Sequence, residues 1–231
     1  MERIRHRIVR TRNKHSRAVY RGDTIVIRLA RNLSRSEERE HITSLLRRMT
    51  QLVLLEQRKT LIAPFRHLLD GGQSLTVRLA CGRRIAIQLQ PRARSSARRT
   101  GTNQWTVGVG PQLRRRALHR LLWRIVAVEE RARVEQLVRA INRKVLRVPV
   151  RDVRLQFASS QWGSCSPHGT IMLNAALLFV PPSLLTYVIV HELAHRRVTD
   201  HSDAYWAVVE RALPSYKRAY HALQQYRLPS L

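Results

Sequence analysis

His191-Glu192-Leu193-Ala194-His195, followed by His201, are the residues of this chain whose types and spacing can do chemistry. Two histidines four apart lie on one face of a helix, so both imidazoles can reach a single metal ion. The glutamate between them sits about 100° round the helix, close enough to take a proton from a water that the metal has activated. The pattern predicts one zinc ion per chain and a hydrolytic reaction with Glu192 as general base. A hydrolytic zinc usually takes three protein ligands and keeps a fourth position for water. Two residues compete to be the third ligand. His201 can return to the metal if the helix ends near Thr199 and the chain turns, and Glu210 on the next helix is its rival.

The element that must carry these groups is legible as well. Pro181-Pro182-Ser183 opens a helix, since proline is tolerated in a first turn and serine caps there. Leu184, Leu185, Val188 and Ile189 supply a wide apolar face, with no helix breaker through Val198. Such a helix is buried, and histidine and glutamate are costly inside it unless paired or bound to metal. The histidine spacing matches the metzincin pattern, but that pattern needs a turn glycine where Val198 stands. It also needs a downstream methionine turn, and the methionines are Met1, Met49 and Met172. A metzincin is excluded.

The flanking sequence resembles a known family. Gln161-Trp162-Gly163-Ser164-Cys165-Ser166, then Gly169-Thr170-Ile171-Met172-Leu173-Asn174, then Tyr187 to His195, then His201-Ser202 and Tyr205-Trp206 are similar to the YgjP-like metallopeptidases, bacterial relatives of the SprT-like proteins. Pro214-Ser215-Tyr216-Lys217 resembles that family's C-terminal helix region, and the short basic strands before Leu33-Ser34 are similar too. The resemblance implies metal ligands at His191, His195 and His201, with Glu192 as base. Two departures are Tyr205, where the family usually has phenylalanine, and Arg196-Arg197, where an apolar residue commonly follows the second histidine.

Composition narrows the setting. A chain of 231 residues can bury one good core, or a core plus a small subdomain. Cys81 and Cys165 are too few for a disulfide framework, and both fit a reducing cytoplasm. Cys165 reads as a small buried residue supporting a strand turn. The basic first residues have no apolar core, so no export signal is expected. The run from Ile171 to Val190 is broken by Asn174 and Pro181-Pro182, so no membrane span is expected either. The net charge of +28 is concentrated in residues 1–120, with 28 Lys and Arg against 7 Asp and Glu. That half offers a surface for polyanions such as nucleic acid. A competing origin is genomic, because 39 of the 43 basic residues are arginine, as a GC-rich genome would give. No aromatic platform is interleaved with the basic clusters, which weighs against single-strand recognition by stacking.

Periodicity predicts an α+β fold. A β-rich basic N-terminal subdomain with one helix spans residues 1–110, and a zincin-like C-terminal subdomain spans 111–231, its HExxH helix packed on a small sheet. Strands are expected at Arg5–Arg10 and Thr24–Arg31, joined through a turn at Arg21-Gly22-Asp23. A helix from Ser34 to Lys59 starts with a capping box at Ser34 and Glu37 and carries Ile42, Leu45, Leu46, Met49, Leu52 and Leu55 on its apolar side. Asp70-Gly71-Gly72 marks a turn, and Ser74–Ala80 with Arg84–Gln90 reads as a hairpin around Cys81-Gly82. Pro91–Gln104 is arginine-rich and read as a loop, before a short strand at Gln104–Gly108. A long helix follows from Pro111 to Arg147. Strands at Val153–Ala158 and Thr170–Leu173 flank the Trp162–Ser166 loop, and helices at Ser202–Leu213 and Tyr216–Tyr226 complete the chain.

Secondary candidates surround the site. The strand at Gly169–Asn174 can offer an edge to which an extended peptide adds. Trp162 and Trp206 line a cleft or fill the core. Tyr205 and His221 are oxyanion donors or structural groups. Ser164 and Ser166 beside His168 lack a third orienting residue and do not make a nucleophile set. The expected activity is peptide-bond hydrolysis on a peptide or protein substrate. The alternatives are hydrolysis of nucleotide phosphoanhydrides, and a nucleic-acid-associated protein whose peptidase acts on bound protein. Nothing in the sequence fixes an oligomeric state.

Overall fold

Alternating apolar residues near the N-terminus become a sheet covered by a helix. The structure is a computed structural model that describes residues 5–21 and 24–229. It divides into two compact units, Met1–Thr60 and Leu61–Leu231. In the first, strands β1 (Arg5–Arg10), β2 (Arg17–Arg21) and β3 (Thr24–Leu29) lie in the order β1-β3-β2, with β1 parallel and β2 antiparallel to β3. The turn expected at Arg21-Gly22-Asp23 rests on Gly22 and Asp23, which lie outside the described residues. Ile25, Ile27 and Leu29 point to one face, as period-two alternation requires, and pack with Ile42, Leu45, Leu46 and Met49 of α1 (Arg35–Arg58). The capping box forms: Glu37 N–H donates to Ser34 Oγ, and Ser34 N–H to Glu37 Oε2. Leu52 and Leu55, expected on the packed stripe, are exposed.

β4 (Thr60–Leu61) straddles the division, and in the second unit α2 (Arg66–Leu69) makes one turn and a four-stranded sheet follows. Its strands β5 (Ser74–Arg78), β6 (Arg84–Pro91), β7 (Ser96–Gly101) and β8 (Gln104–Val109) run in the order β5-β6-β8-β7. The segment read as an arginine-rich loop therefore contains an edge strand. Ala97 turns inward and Arg98 outward, and Asn103 in the left-handed region (φ 56°) closes the tight connection to β8. Charge on an edge strand blocks unwanted pairing, so arginine there is compatible with a strand. Arg99 also bonds Glu129 (2.9 Å), and Trp105 Nε1 donates to the same carboxylate (3.0 Å). Glu129 belongs to α3 (Arg115–Val145), where the neighbouring buried Glu130 bonds Arg83 (2.7 Å) and Arg133. Pairing is the condition on which a carboxylate is buried.

A second sheet carries β9 (Asp152–Gln156), β10 (Gly163–Cys165) and β11 (Thr170–Asn174) in the order β10-β11-β9. The strand centred on Met172 is thus the middle one. Both its edges are paired, so it cannot accept a peptide; the edges belong to β10 and β9. A 3-10 turn (Ala175–Phe179) leads to α4 (Pro182–Ala194), which packs on β10, β11 and α3. Helices α5 (Asp203–Ala212) and α6 (Tyr216–Leu223) pack against α4. The last helix stops short of Tyr226 because Tyr226–Arg227 become β12, where Ile62 N–H donates to the Arg227 carbonyl (3.1 Å). The described residues thus form a mixed α/β architecture with six α-helices.

Candidate metal centre

Helix α4 begins at Pro182 with Pro181 at its N-cap and no side-chain cap, so Ser183 does not cap it. Leu184, Leu185, Val188 and Ile189 are buried, as their spacing requires, and hold α4 in the core. The helix ends at Ala194 with His195 at the C-cap, and Val198 N–H still bonds the Ala194 carbonyl (3.1 Å). The chain then reverses, aided by Asp200 Oδ1, which accepts from Ser202 N–H (3.2 Å). That reversal brings His201 back against α4.

Candidate ligand atoms of His191, His195 and His201 lie within 4.8 Å of one another, a group that can hold a metal ion. His201 Nε2 stands 3.3 Å from His191 Nε2. Two nitrogens on a tetrahedral zinc, at about 2.0–2.1 Å each, stand about 3.3–3.4 Å apart. One cation would serve both nitrogens, whereas without it they compete for one proton. His195 Nδ1 faces the Val198 carbonyl (3.3 Å), which favours the tautomer leaving Nε2 as a free donor atom. Burial pushes His191 down to about 4 and lowers His195, so both imidazoles are neutral near pH 7, the form that binds metal. The donor set therefore fits a metal, and its chemistry suits zinc. Glu210, the rival third ligand, is exposed on α5 and faces Lys217 (3.8 Å), outside this group.

Glu192 is 4 % exposed, and burial raises its carboxyl to about 8. It lies against β10: a Cβ on Gly163 would meet Glu192 Oε1 at 2.5 Å. An edge strand, a buried carboxylate and three clustered imidazoles thus adjoin one another at the end of α4.

A model of the YgjP-like metallopeptidase domain matches residues 10–226. This chain belongs to the YgjP-like family. It is a metallopeptidase domain by that membership, which implies a metal ion and a peptide or protein substrate. No curated protein matches it. Among solved structures it is similar to the crystal structure of the metallopeptidase zymogen of Pyrococcus abyssi abylysin. The two are 28% identical over 41% of this chain and 98% of that one, with a TM-score of 0.33.

Other residues of this YgjP-like site have structural duties. Tyr205 is fully buried, stacks on His195 (4.6 Å between centroids) and donates from its hydroxyl to the His191 carbonyl (2.9 Å). That bond serves a last-turn carbonyl of α4, a group that helix ends leave without intrahelical partners. Its hydroxyl is thereby committed to the backbone. His221 is exposed on α6 beside Tyr220. Trp206 stands 6.0 Å from His191 and 5.9 Å from His201 and stacks on Tyr216, so it walls the centre. Trp162 packs into the main core instead. Burial raises the Cys165 thiol, which keeps it protonated, and Ser166 Oγ accepts from Thr170 N–H (3.0 Å) to fix the turn.

Sequence reasoning passed over two positioning groups. Asn174 is fully buried; its Nδ2 donates to the Ala158 (2.6 Å) and Gln161 (2.7 Å) carbonyls, and its Oδ1 accepts from Ala176 N–H (3.0 Å). It therefore ties down the loop entering β10. Its only sequence signal is a polar residue inside an apolar run. Arg196 donates to the Pro149 (3.2 Å) and Pro167 (2.8 Å) carbonyls, and Arg197 to that of Leu146 (2.6 Å). The departure at 196–197 anchors the segment before β9 and the turn between β10 and β11, at one end of the small sheet, to the end of α4. Among the described residues no helix is long and apolar enough to cross a membrane.

Proposed function

We propose that this protein is a zinc-dependent peptidase with a zincin-like catalytic domain in residues 111–231, ligated by His191, His195 and His201, with Glu192 as general base. The observation that carries this reading is the buried Glu192 carboxylate next to three imidazoles brought together from two segments. Zinc held there supplies a Lewis acid that acidifies water and polarises a carbonyl. Glu192 takes the proton from the attacking water and returns it to the leaving amine. Burial alone favours the protonated acid, and a cation held by the neighbouring imidazoles would favour the ionised form that accepts the proton. The unpaired edge of β10 offers Gly163–Cys165 to an extended peptide as a further antiparallel or parallel strand, which lays the scissile bond beside Glu192. Trp206 walls the centre beside His191 and His201.

The test is direct. Purified protein should carry about one zinc per chain, and His191→Ala or His201→Ala should lose it. Casein and nucleoside triphosphates are then assayed side by side with Glu192→Gln as control. Casein cleavage that falls by roughly 10²–10⁴-fold in the variant, with zinc retained, supports the assignment. Full activity in Glu192→Gln removes it, and triphosphate hydrolysis lost in the variant would replace the peptide bond with a phosphoanhydride.

A further inference from the structure

The small sheet has a second face. Register places Gly163, Cys165, Ile171, Leu173, Val153 and Leu155 toward the core, and Ser164, Met172 and Arg154 on the other side. On that other side lies a cavity of about 720 Å³ lined by Arg151, Arg154, His168 and neighbouring polar groups. It continues through a cavity of about 350 Å³ at the β9 edge, which shares Asp152, Arg154 and Gln156 with the first. That one shares Arg131, Leu155 and Gln156 with a third cavity, of about 330 Å³, between β9 and α3. The three make one trough that bends from the sheet face, round its edge, onto the helix.

Five arginines line it: Arg120, Arg124, Arg131, Arg151 and Arg154. The single carboxylate, Asp152, is already bridged by Arg154 (3.0 Å) and Arg131 (3.6 Å). Arg120, Arg124 and Arg151 are exposed and have no ion-pair or side-chain hydrogen-bond partner among the described residues. On α3, positions 120, 124 and 131 fall on one face and span about 16 Å of helix axis. Between them the trough floor is apolar: half-buried Phe157, stacked on Trp123 at 4.6 Å, and Val128, 56% exposed.

We propose that this trough binds single-stranded nucleic acid, with guanidinium groups on the phosphates and bases resting on Phe157 and Val128. Guanidinium matches phosphate geometry, and a basic groove with an aromatic floor is how sequence-tolerant single-strand sites are built. The bend selects the single strand. A duplex, with a persistence length of about 50 nm, does not follow a path that turns round a strand edge, whereas a flexible strand does. The lining residues all belong to the second unit, and the trough runs on the sheet face opposite Glu192.

The experiment uses the full chain and a fluorescent oligothymidylate of about 20 nucleotides, longer than the roughly 4–16 that one single-strand module covers. Binding is titrated by anisotropy across a series of salt concentrations. The triple variant Arg120→Gln, Arg124→Gln, Arg151→Gln should lower the slope of log K against log salt by about 2, since each lost phosphate contact removes about 0.7. The matching lysine triple should restore it. A charge-matched control on α1, Arg39→Gln, Arg47→Gln, Arg48→Gln, should leave the slope as in the parent. All six residues are exposed, and an unchanged melting curve shows that each variant folds. The proposal is overturned if the trough triple keeps the parental slope, if the α1 control loses it instead, or if duplex or polyglutamate binds more tightly than the single strand at equal salt.

Discussion

Gly163 and Glu192 are in such close approach that a Cβ on the glycine would stand 2.5 Å from Glu192 Oε1 and 2.8 Å from its Cγ. No real side chain tolerates that distance, so the absence of a side chain at 163 lets the strand pass over the carboxylate. Glycine here answers a steric demand from another element and not a turn. Gly163→Ala must push Glu192 away from its place beside the imidazoles. On the role proposed for Glu192, a displacement of about 1 Å lowers turnover by roughly 10²-fold. The variant should keep its metal, because the three histidines are untouched. Peptidase kinetics with metal analysis on the same sample checks this, and a variant within a few-fold of the parent would show that the carboxylate yields without consequence.

Burial of Glu192 and His191 also sets how the metal-free protein responds to pH. Glu192, raised from 4.5 to about 8, binds its proton more tightly folded than unfolded, so stability falls as pH rises across that interval. His191, lowered from 6.5 to about 4, acts in the opposite sense, and its contribution falls as pH drops through that interval. Between pH 4.5 and 6.5 the two oppose each other. Between pH 6.5 and 8 the glutamate alone of this pair still titrates differently in the two states. Chelator-treated protein should therefore melt at progressively lower temperature from pH 6.5 to 8, by at most about 2 kcal/mol of stability. The same scan on Glu192→Gln should be flat over that range; parallel curves for the two proteins would contradict the argument.

The two ends of the site differed in how readable they were. The HExxH helix was legible because its information is local: Leu184, Leu185, Val188 and Ile189 mark one face, and His191 and His195 fall at its end. The reach of His201 was legible only as one of two possibilities, since deciding against Glu210 requires knowing which way the chain turns after Ala194. The pairing of Gly163 with Glu192 depends on a strand laid across a helix, which no spacing encodes. The position of Met172 in the middle of its sheet was hidden for the same reason, because strand order is a property of long-range pairing. Ser96–Gly101 was lost to composition: arginine and serine read as loop, whereas an edge strand with Glu129 facing Arg99 accommodates both.

Asn174 holds the β10 approach by its side chain, and removing it is predicted to be felt as stability before activity. Asn174→Ala leaves the carbonyls of Ala158 and Gln161 without the donor that serves them both. It also leaves the buried Ala176 N–H without its acceptor, and one buried polar group left unpaired costs about 1–3 kcal/mol, while water reaches the carbonyl of exposed Gln161, so a loss of about 1–3 kcal/mol is expected. Asn174→Asp keeps the acceptor for Ala176 N–H but sets a buried carboxylate against the two carbonyls, and should also be destabilising near neutral pH. The urea midpoint at constant m-value measures both. A shift below about 0.5 kcal/mol for either would mean that the loop finds other partners.

Tyr205 offers a way to separate a structural hydroxyl from one that stabilises a developing oxyanion. Its hydroxyl already donates to the His191 carbonyl, and the ring is fully buried beneath the imidazoles. A group with that geometry orients the end of α4 and does not face the reacting carbonyl. Tyr205→Phe should cost about 1 kcal/mol of stability, the usual net contribution of one hydrogen bond, and keep the ring stack on His195. Turnover on a peptide substrate should remain within a few-fold of the parent and metal content should be unchanged. Removing an oxyanion donor lowers kcat by roughly 10²–10³-fold. A loss of that size in Tyr205→Phe, with stability and metal intact, would show that the hydroxyl leaves the His191 carbonyl for the substrate during the reaction.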